Sequence, residues 1–273
     1  MAEKYVDVDT LKYMLYDVHN LEGLLSRERF QDHDKESLDM FLDSVKEFAD
    51  RELFPYCKEM DENPAYHKDG KVFVHDQVKT MMYKGGEMGL ISAPFNYDSG
   101  GLQIPLMTQT AVYYILDAAN NHLPGYAALT SGSAELIVHF GNKELNETYV
   151  PKMLSGQWGG TMCLTEPQAG SSLSDITTKA TPTDDGFYKI LGQKIFISGG
   201  DNNFTENIVH LVLARIEGAP KGTKGISLFV VPKNRPTENG NLEFNDVTTV
   251  ADFQKMGQRG YCTTHLGFGD ADN

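Results

Sequence analysis

The sequence predicts an α+β chain in which an all-α N-terminal half is followed by an antiparallel β-barrel half. Two patterns carry this. Apolar residues recur with a helical period as far as residue 157, and from Trp158 onward they fall into short β-branched runs separated by turn signals. The length of 273 residues, with 40% hydrophobic and 23% charged residues, leaves room for two ordinary globular domains. The change of period sets their bounds at 1–157 and 158–273.

Six helices account for the first half. Leu11, Met14, Leu15, Val18, Leu21 and Leu25 form one apolar stripe, and Leu38, Phe41, Leu42, Val45, Phe48 and Ala49 form a cleaner one. A shorter helix over Asp76 to Tyr83 is expected to stop at Gly85-Gly86. The loop Asp98-Ser99-Gly100-Gly101 precedes a helix from Leu106 to Ala119. Pro124 opens the next, with Leu129, Leu136, Ile137 and Phe140 on its stripe, and Gly141-Asn142 ends it and caps a last helix that closes near Gly156.

Strands are expected at Ile176 to Thr181, Phe187 to Leu191, Lys194 to Ser198, Ile208 to Leu213 and Ile226 to Val231, with a further strand-like run from Thr263 to Phe268. Asp184-Asp185-Gly186 is a hairpin signal, and short strands without helices between them imply antiparallel pairing. Glu217 to Lys224, rich in Gly, Pro and Lys, reads as an exposed loop.

The formal charge of −14 and pI near 4.9 argue against nucleic acid or an anionic membrane as the partner, so an anionic ligand must be held locally. Cys57, Cys163 and Cys262 are too few and too scattered for a disulfide framework or a zinc knuckle, which suits the cytoplasm. The first residues lack the pattern of a leader peptide, and no apolar run approaches a membrane span. Dinucleotide, Walker, nucleophile-elbow and zinc-protease motifs are absent, and the scattered histidines suggest no metal.

Two stretches stand out. In Met162-Cys163-Leu164-Thr165-Glu166-Pro167-Gln168-Ala169-Gly170-Ser171-Ser172, an extended run meets a stiff corner at Pro167. Gly170, which can take positive φ, then offers with Ser171 and Ser172 a cluster of N–H groups and hydroxyls suited to a phosphate. Taken alone the stretch also reads as a strand, a proline turn and a polar loop. In Gly192-Gln193-Lys194-Ile195-Phe196-Ile197-Ser198-Gly199-Gly200, a strand ends in a double glycine that would let backbone approach a flat ligand, with Phe196 either covering a ring or sitting in the core.

Together the two stretches resemble the flavin-contacting segments of the acyl-CoA dehydrogenase family, which typically read Cys-x-Thr-Glu-Pro-x-Ala-Gly-Ser and, some tens of residues later, Gly-x-Lys-x-Trp-Ile-Thr-Asn-Gly. Gly141-Asn142 before a helix, Lys224-Gly225-Ile226 before a strand and Lys255-Met256-Gly257 add to the likeness, which spans nearly the whole chain. The segment Tyr5 to Leu25 looks like the extension of a longer subgroup that includes methylthiopropanoyl-CoA dehydrogenases. Phe196 stands where tryptophan is usual, and Ser198 where threonine is usual.

The resemblance implies FAD, bound by Met162, Cys163, Leu164, Thr165, Gly170, Ser171, Phe196, Ile197 and Ser198. Thr165 would place a hydroxyl and an N–H near flavin N5 and the pyrimidine end, Phe196 to Ser198 would cover the other side, and Ser171 would also meet the acyl-CoA phosphopantetheine. The implied reaction removes the α-proton of an acyl-CoA thioester as the β-hydrogen leaves as hydride, giving the 2-enoyl-CoA. Electron-transfer flavoprotein or a similar acceptor, and a homo-oligomeric state, are implied with it. No catalytic residue is assigned within the chain: the family's glutamate base belongs to a C-terminal helical bundle expected beyond Asn273, and Glu166 is read as a hydrogen-bonding corner residue. Other readings are an oxidase-like or alkylation-response flavoprotein on the same fold, and a non-catalytic binding module.

Overall fold

The computed structural model describes residues 5–271. Its α-helices are α1 (Val8–Tyr13), α2 (Leu21–Leu25), α3 (Lys35–Phe48), α4 (Cys57–Glu62), α5 (Gln77–Glu87), α6 (Leu106–Asn120), α7 (Pro124–Phe140) and α8 (Lys143–Leu154). Local chemistry explains their ends. Asp34 opens α3 reciprocally, accepting from Ser37 N at 2.8 Å while Ser37 Oγ accepts from Asp34 N at 3.0 Å. Asn142 Oδ1 opens α8 by accepting from Leu145 N at 2.9 Å, as the Gly141-Asn142 pair predicts.

Three departures in the helical half have physical causes. The stripe from Leu11 to Leu25 is not one helix, because Asn20 takes a left-handed conformation and its side chain caps α2. Helix α5 runs through Gly85-Gly86 and ends before Gly89, whose φ is +76°. Gly86 is there for contact: a Cβ would lie 2.2 Å from Ser155 O, at the end of α8. A hairpin of β1 (Tyr66–Lys68) and β2 (Lys71–Phe73) also interrupts the helices and reaches the sheet through His67 Nε2, 3.1 Å from Thr249 O.

The second half holds β3 (Trp158–Cys163), β4 (Lys179–Pro182), β5 (Tyr188–Ser198), β6 (Asn207–Ile216), β7 (Ile226–Pro232), β8 (Asn234–Pro236), β9 (Leu242–Phe244), β10 (Val247–Asp252) and β11 (Thr263–Phe268). The main sheet runs β10-β11-β5-β4-β6-β3, with β7 also on β6, and β8 and β9 form a separate hairpin. The two runs either side of Gly192 are one strand, β5. Pairing is mostly antiparallel, including the expected β4–β5 hairpin, but β3 and β4 run parallel to β6. Strand β3 reaches β6 only after β4 and β5 have intervened, and such a long connection permits parallel pairing. Register shifts in β10–β11 and β11–β5 help to curl the sheet.

The main core is shared between the halves, since Trp158, Val209, Leu211, Tyr261 and Cys262 cluster with the helical residues. Helix α7 lies on β3 at Gly160, where a Cβ would meet Ser133 Cβ at 2.9 Å and Thr130 Cα at 3.0 Å, and Gly160 N donates to Thr130 Oγ1 at 3.0 Å. Gly160→Ala should therefore cost about 1–3 kcal/mol by overpacking. Gly132→Ala, mid-helix in α7 with nothing within 4 Å of its Cβ, should instead stabilise by about 0.5–1 kcal/mol. Urea unfolding of both variants checks the pair, and equal responses would contradict the packing described.

Candidate functional site

Strand β3 sorts its side chains by alternation. Cys163 turns into a small core with Ile197, Val212 and Leu266, and lies beside a buried polar pair in which Thr161 Oγ1 and His210 Nδ1 are 2.8 Å apart. Burial pushes the Cys163 thiol up to about 12 and His210 down to about 3, so both are neutral and neither is poised as nucleophile or base. Met162 is half-buried against the main core. Leu164 and Thr165 follow, half-buried, where the chain leaves the ladder.

The corner after β3 is tied by one carboxylate. Glu166 Oε1 accepts from Lys194 Nζ at 2.8 Å, Thr178 Oγ1 at 2.6 Å and Thr178 N at 3.1 Å. Its Oε2 accepts from Thr177 N at 2.6 Å, Gln168 Nε2 at 2.7 Å and Thr177 Oγ1 at 2.9 Å. Burial by itself would raise this carboxyl, but the Lys194 ammonium and the Thr177 and Thr178 donors outweigh it and hold it at about 2. With its lone pairs occupied, Glu166 is not a proton acceptor. Lys194 is wholly buried, and its Nζ also donates to Leu164 O at 3.0 Å.

Around this knot stand groups without protein partners. Thr165 O accepts from Ile195 N at 2.9 Å, which joins the two singled-out stretches. The Thr165 N–H and hydroxyl, the Gly170 and Ser171 N–H groups and the Ser171 hydroxyl make no hydrogen bond among the described residues. Gly170 does not use the positive φ open to it, and a Cβ on it would stand 3.7 Å from Thr165 Cγ2. Space beside Thr165 thus stays open. Ser171 is exposed, and Ser172 is drawn off to Asp175, 2.6 Å away.

On β5, Phe196 is 56% exposed, takes φ +57° and packs on Phe253 with centroids 4.5 Å apart. It lies in a bulge where Ile195 and Phe196 oppose His265 alone. Ile197 points into the core, so it and Cys163 can present only backbone to a ligand. Ser198 is half-buried and pairs with Thr263. Gly200 is pressed against protein, since a Cβ there would lie 2.0 Å from Thr264 Oγ1, whereas one at Gly199, where φ is +65°, would meet Tyr261 and Tyr126 only at ordinary contact distance. Residues missed by the sequence reading are Lys194, Thr177, Thr178 and Phe253. Only Lys194 carried a signal, as the third residue of the second motif.

The chain matches the N-terminal domain of acyl-CoA dehydrogenases over residues 35–157 and their middle domain over 161–271. It belongs to the acyl-CoA dehydrogenase family. Among curated relatives it is 36% identical over 269 residues to a butyryl-CoA dehydrogenase of Syntrophomonas wolfei, covering 96% of this chain and 44% of that one. It is 33% identical over 267 residues to the 3-methylmercaptopropionyl-CoA dehydrogenase of Ruegeria pomeroyi, covering 94% and 45%. An acyl-CoA dehydrogenase of Bacillus anthracis solved in complex with FAD superposes with a TM-score of 0.67 at 23% identity, over 88% of this chain and 36% of that one, a likeness of fold. The chain spans about half the length of the curated relatives it matches. Among the described residues no helix is long and apolar enough to cross a membrane, and no group of three His, Cys, Asp or Glu side chains could hold a metal.

The Glu166 knot has a signature in acid. A carboxyl that titrates at about 2 when folded and near 4.5 otherwise contributes stability that is present above pH 4.5 and lost as the pH falls towards 2, on the order of 3 kcal/mol. Glu166→Gln should flatten that part of the pH–stability curve and, by stranding the Lys194 charge, cost about 3–5 kcal/mol at pH 7. Urea unfolding between pH 7 and 3 measures both, and an unchanged acid slope in the variant would refute the assignment.

Proposed function

We propose that this chain forms the helical domain (1–157) and β domain (158–273) of a flavin-dependent acyl-CoA dehydrogenase that oxidises an acyl-CoA thioester to the 2-enoyl-CoA. The observation that carries it is Thr165: an N–H and a hydroxyl without a partner among the described residues, at a corner locked by Glu166 and Lys194 and beside the Gly170 and Ser171 N–H groups, which likewise have none there. This donor set suits FAD, which when bound supplies the hydride acceptor. Thr165 would hold the ring near N5 and its pyrimidine end, where its donors would favour negative charge. Met162 and Leu164 line the ring, and the exposed Phe196 covers it. Cys163, Ile197 and Ser198 contribute backbone or, for Ser198, a hydroxyl. Gly170 keeps the approach open, and Ser171 meets the cofactor and the phosphopantetheine of the substrate.

The base that takes the α-proton lies outside these residues in this proposal, because the carboxylate next to Thr165 in the chain, Glu166, is committed to Lys194, Gln168, Thr177 and Thr178. The remaining helical domain supplies it and closes the site against water. The protein works in the cytoplasm as a homo-oligomer and passes its electrons to electron-transfer flavoprotein or a similar acceptor.

In the full-length protein, Thr165→Val should weaken FAD binding by about 3- to 10-fold, the worth of one lost hydrogen bond, and shift the flavin absorption bands. A colourless wild-type protein that takes up no added FAD would overturn the proposal. The 273-residue chain alone, assayed beside the full-length protein with an acyl-CoA and an artificial electron acceptor, should be slower by at least about 10² to 10⁴ for want of a base. Comparable turnover would place the base within this chain.

A further inference from the structure

Lys194 is among the largest fully buried side chains of the described residues, and it is charged. A buried ion pair is seldom better for stability than apolar residues of the same volume, so its use here needs a geometric reason. The reason lies in one peptide unit. Lys194 Nζ donates to Leu164 O at 3.0 Å, and the next carbonyl, Thr165 O, accepts from Ile195 N at 2.9 Å. In a trans peptide the C=O and N–H point in opposite directions. Fixing Leu164 O on the ammonium therefore turns the N–H of the same peptide unit, which belongs to Thr165, away from β5 to where no described residue meets it.

The lysine is itself held from behind. Glu166 Oε1 takes its charge at 2.8 Å, and Thr178 Oγ1 holds the same oxygen at 2.6 Å. Strand β5 can lie this close to Thr178 because residue 192 is glycine: at φ +156° a Cβ would stand 2.5 Å from Thr178 Oγ1. Gly192 and Lys194 thus act together, one clearing the space and the other reaching through it. Because the ammonium is matched by a carboxylate, the pair adds little net charge to the site, and its effect is one of direction.

We propose that Lys194 is the positioning residue of the Thr165 donor pair, orienting the Leu164–Thr165 peptide so that the Thr165 N–H and hydroxyl face the ligand. The ligand part of this rests on the flavin reading above; the orientation part does not. The test is a cycle of Lys194→Met, Thr165→Val and the double variant in the full-length protein, with Lys194→Arg as the conservative control. Amide hydrogen exchange at Thr177, Thr178 and Ile195 is followed without cofactor, and FAD affinity is titrated separately.

Lys194→Met should speed exchange at those three amides about tenfold or more while amides in α7 stay as in the wild type, and should lower FAD affinity about tenfold. Removing the Thr165 side-chain hydroxyl in that background should add less than about twofold, because a misdirected donor has little left to lose. Lys194→Arg should recover part of both effects. Additive losses in the cycle, or unchanged exchange in Lys194→Met, would overturn the proposal. A wild-type protein that binds no FAD would overturn the flavin reading instead, leaving the exchange arm to decide the orientation. If Lys194→Met does not fold, Thr178→Val, which removes one donor to Glu166 and strands no charge, takes its place with the same signs and smaller effects.

Discussion

An ammonium and a carboxylate withdrawn from water together lose several kcal/mol of hydration each, and their attraction recovers this only when every remaining hydrogen-bonding site is filled. Glu166 meets that condition with six donors on its carboxylate, and Lys194 places two of its three N–H groups, one on Glu166 and one on the Leu164 carbonyl. Three pieces of chain are thereby joined through side chains: the exit of β3, the segment before β4 and the middle of β5. The corner at Pro167 owes its shape to this as much as to the proline ring. Without it the loop carrying Gly170 and Ser171 would keep the short Glu166–Ala169 bridge, Ser172 on Asp175, Gln168 on Thr177 and Arg215 on Ser174 O, none of which engages Gly170 or Ser171 itself.

The rest of the structure serves to keep that corner in place. Helix α7 rests on β3 through Gly160, so the strand leading to the corner has a helical layer behind it as well as β6 beside it. Alternation along β3 then separates two kinds of polar chemistry. Thr161, Cys163 and His210 are buried as a neutral cluster, whereas the charged pair lies one turn of the chain further on, where carbonyls beyond the ladder need donors. A neutral cluster can be packed among Val212, Leu266 and Phe268 at modest cost; an ion pair could not be placed there without its full set of donors.

Much of this was legible in the residues. The change of period at Trp158, the cap at Asn142 and the hairpin at Gly186 follow from rules that act within a few residues. What escaped depends on contacts distant in sequence. Gly85-Gly86 and Gly199-Gly200 look alike as letters, yet Gly86 does not end its helix and Gly200 is closed off by protein, because Ser155 in one case and Thr264 in the other come from elsewhere in the chain. The parallel pairing of β3 was hidden for the same reason. Lys194 was quoted within a motif and passed over, since nothing local says whether a lysine in an alternating strand points to water or to a carboxylate 28 residues earlier.

Phe196 shows how the fold converts a local cost into a directed side chain. A phenylalanine at φ +57° gives up about 1–2 kcal/mol relative to a β conformation, and glycine or asparagine would be the easier residue there. The bulge that forces this conformation also takes Phe196 out of strict alternation with its neighbours. Lys194 and Ile197 on either side remain in the interior, while the phenyl ring stands outward and rests against Phe253. A regular strand through the same residues would have to choose between burying Lys194 and exposing Phe196 on consistent faces. The extra residue removes that conflict, so the ion pair behind the sheet and the aromatic ring in front of it are two consequences of one irregularity in β5.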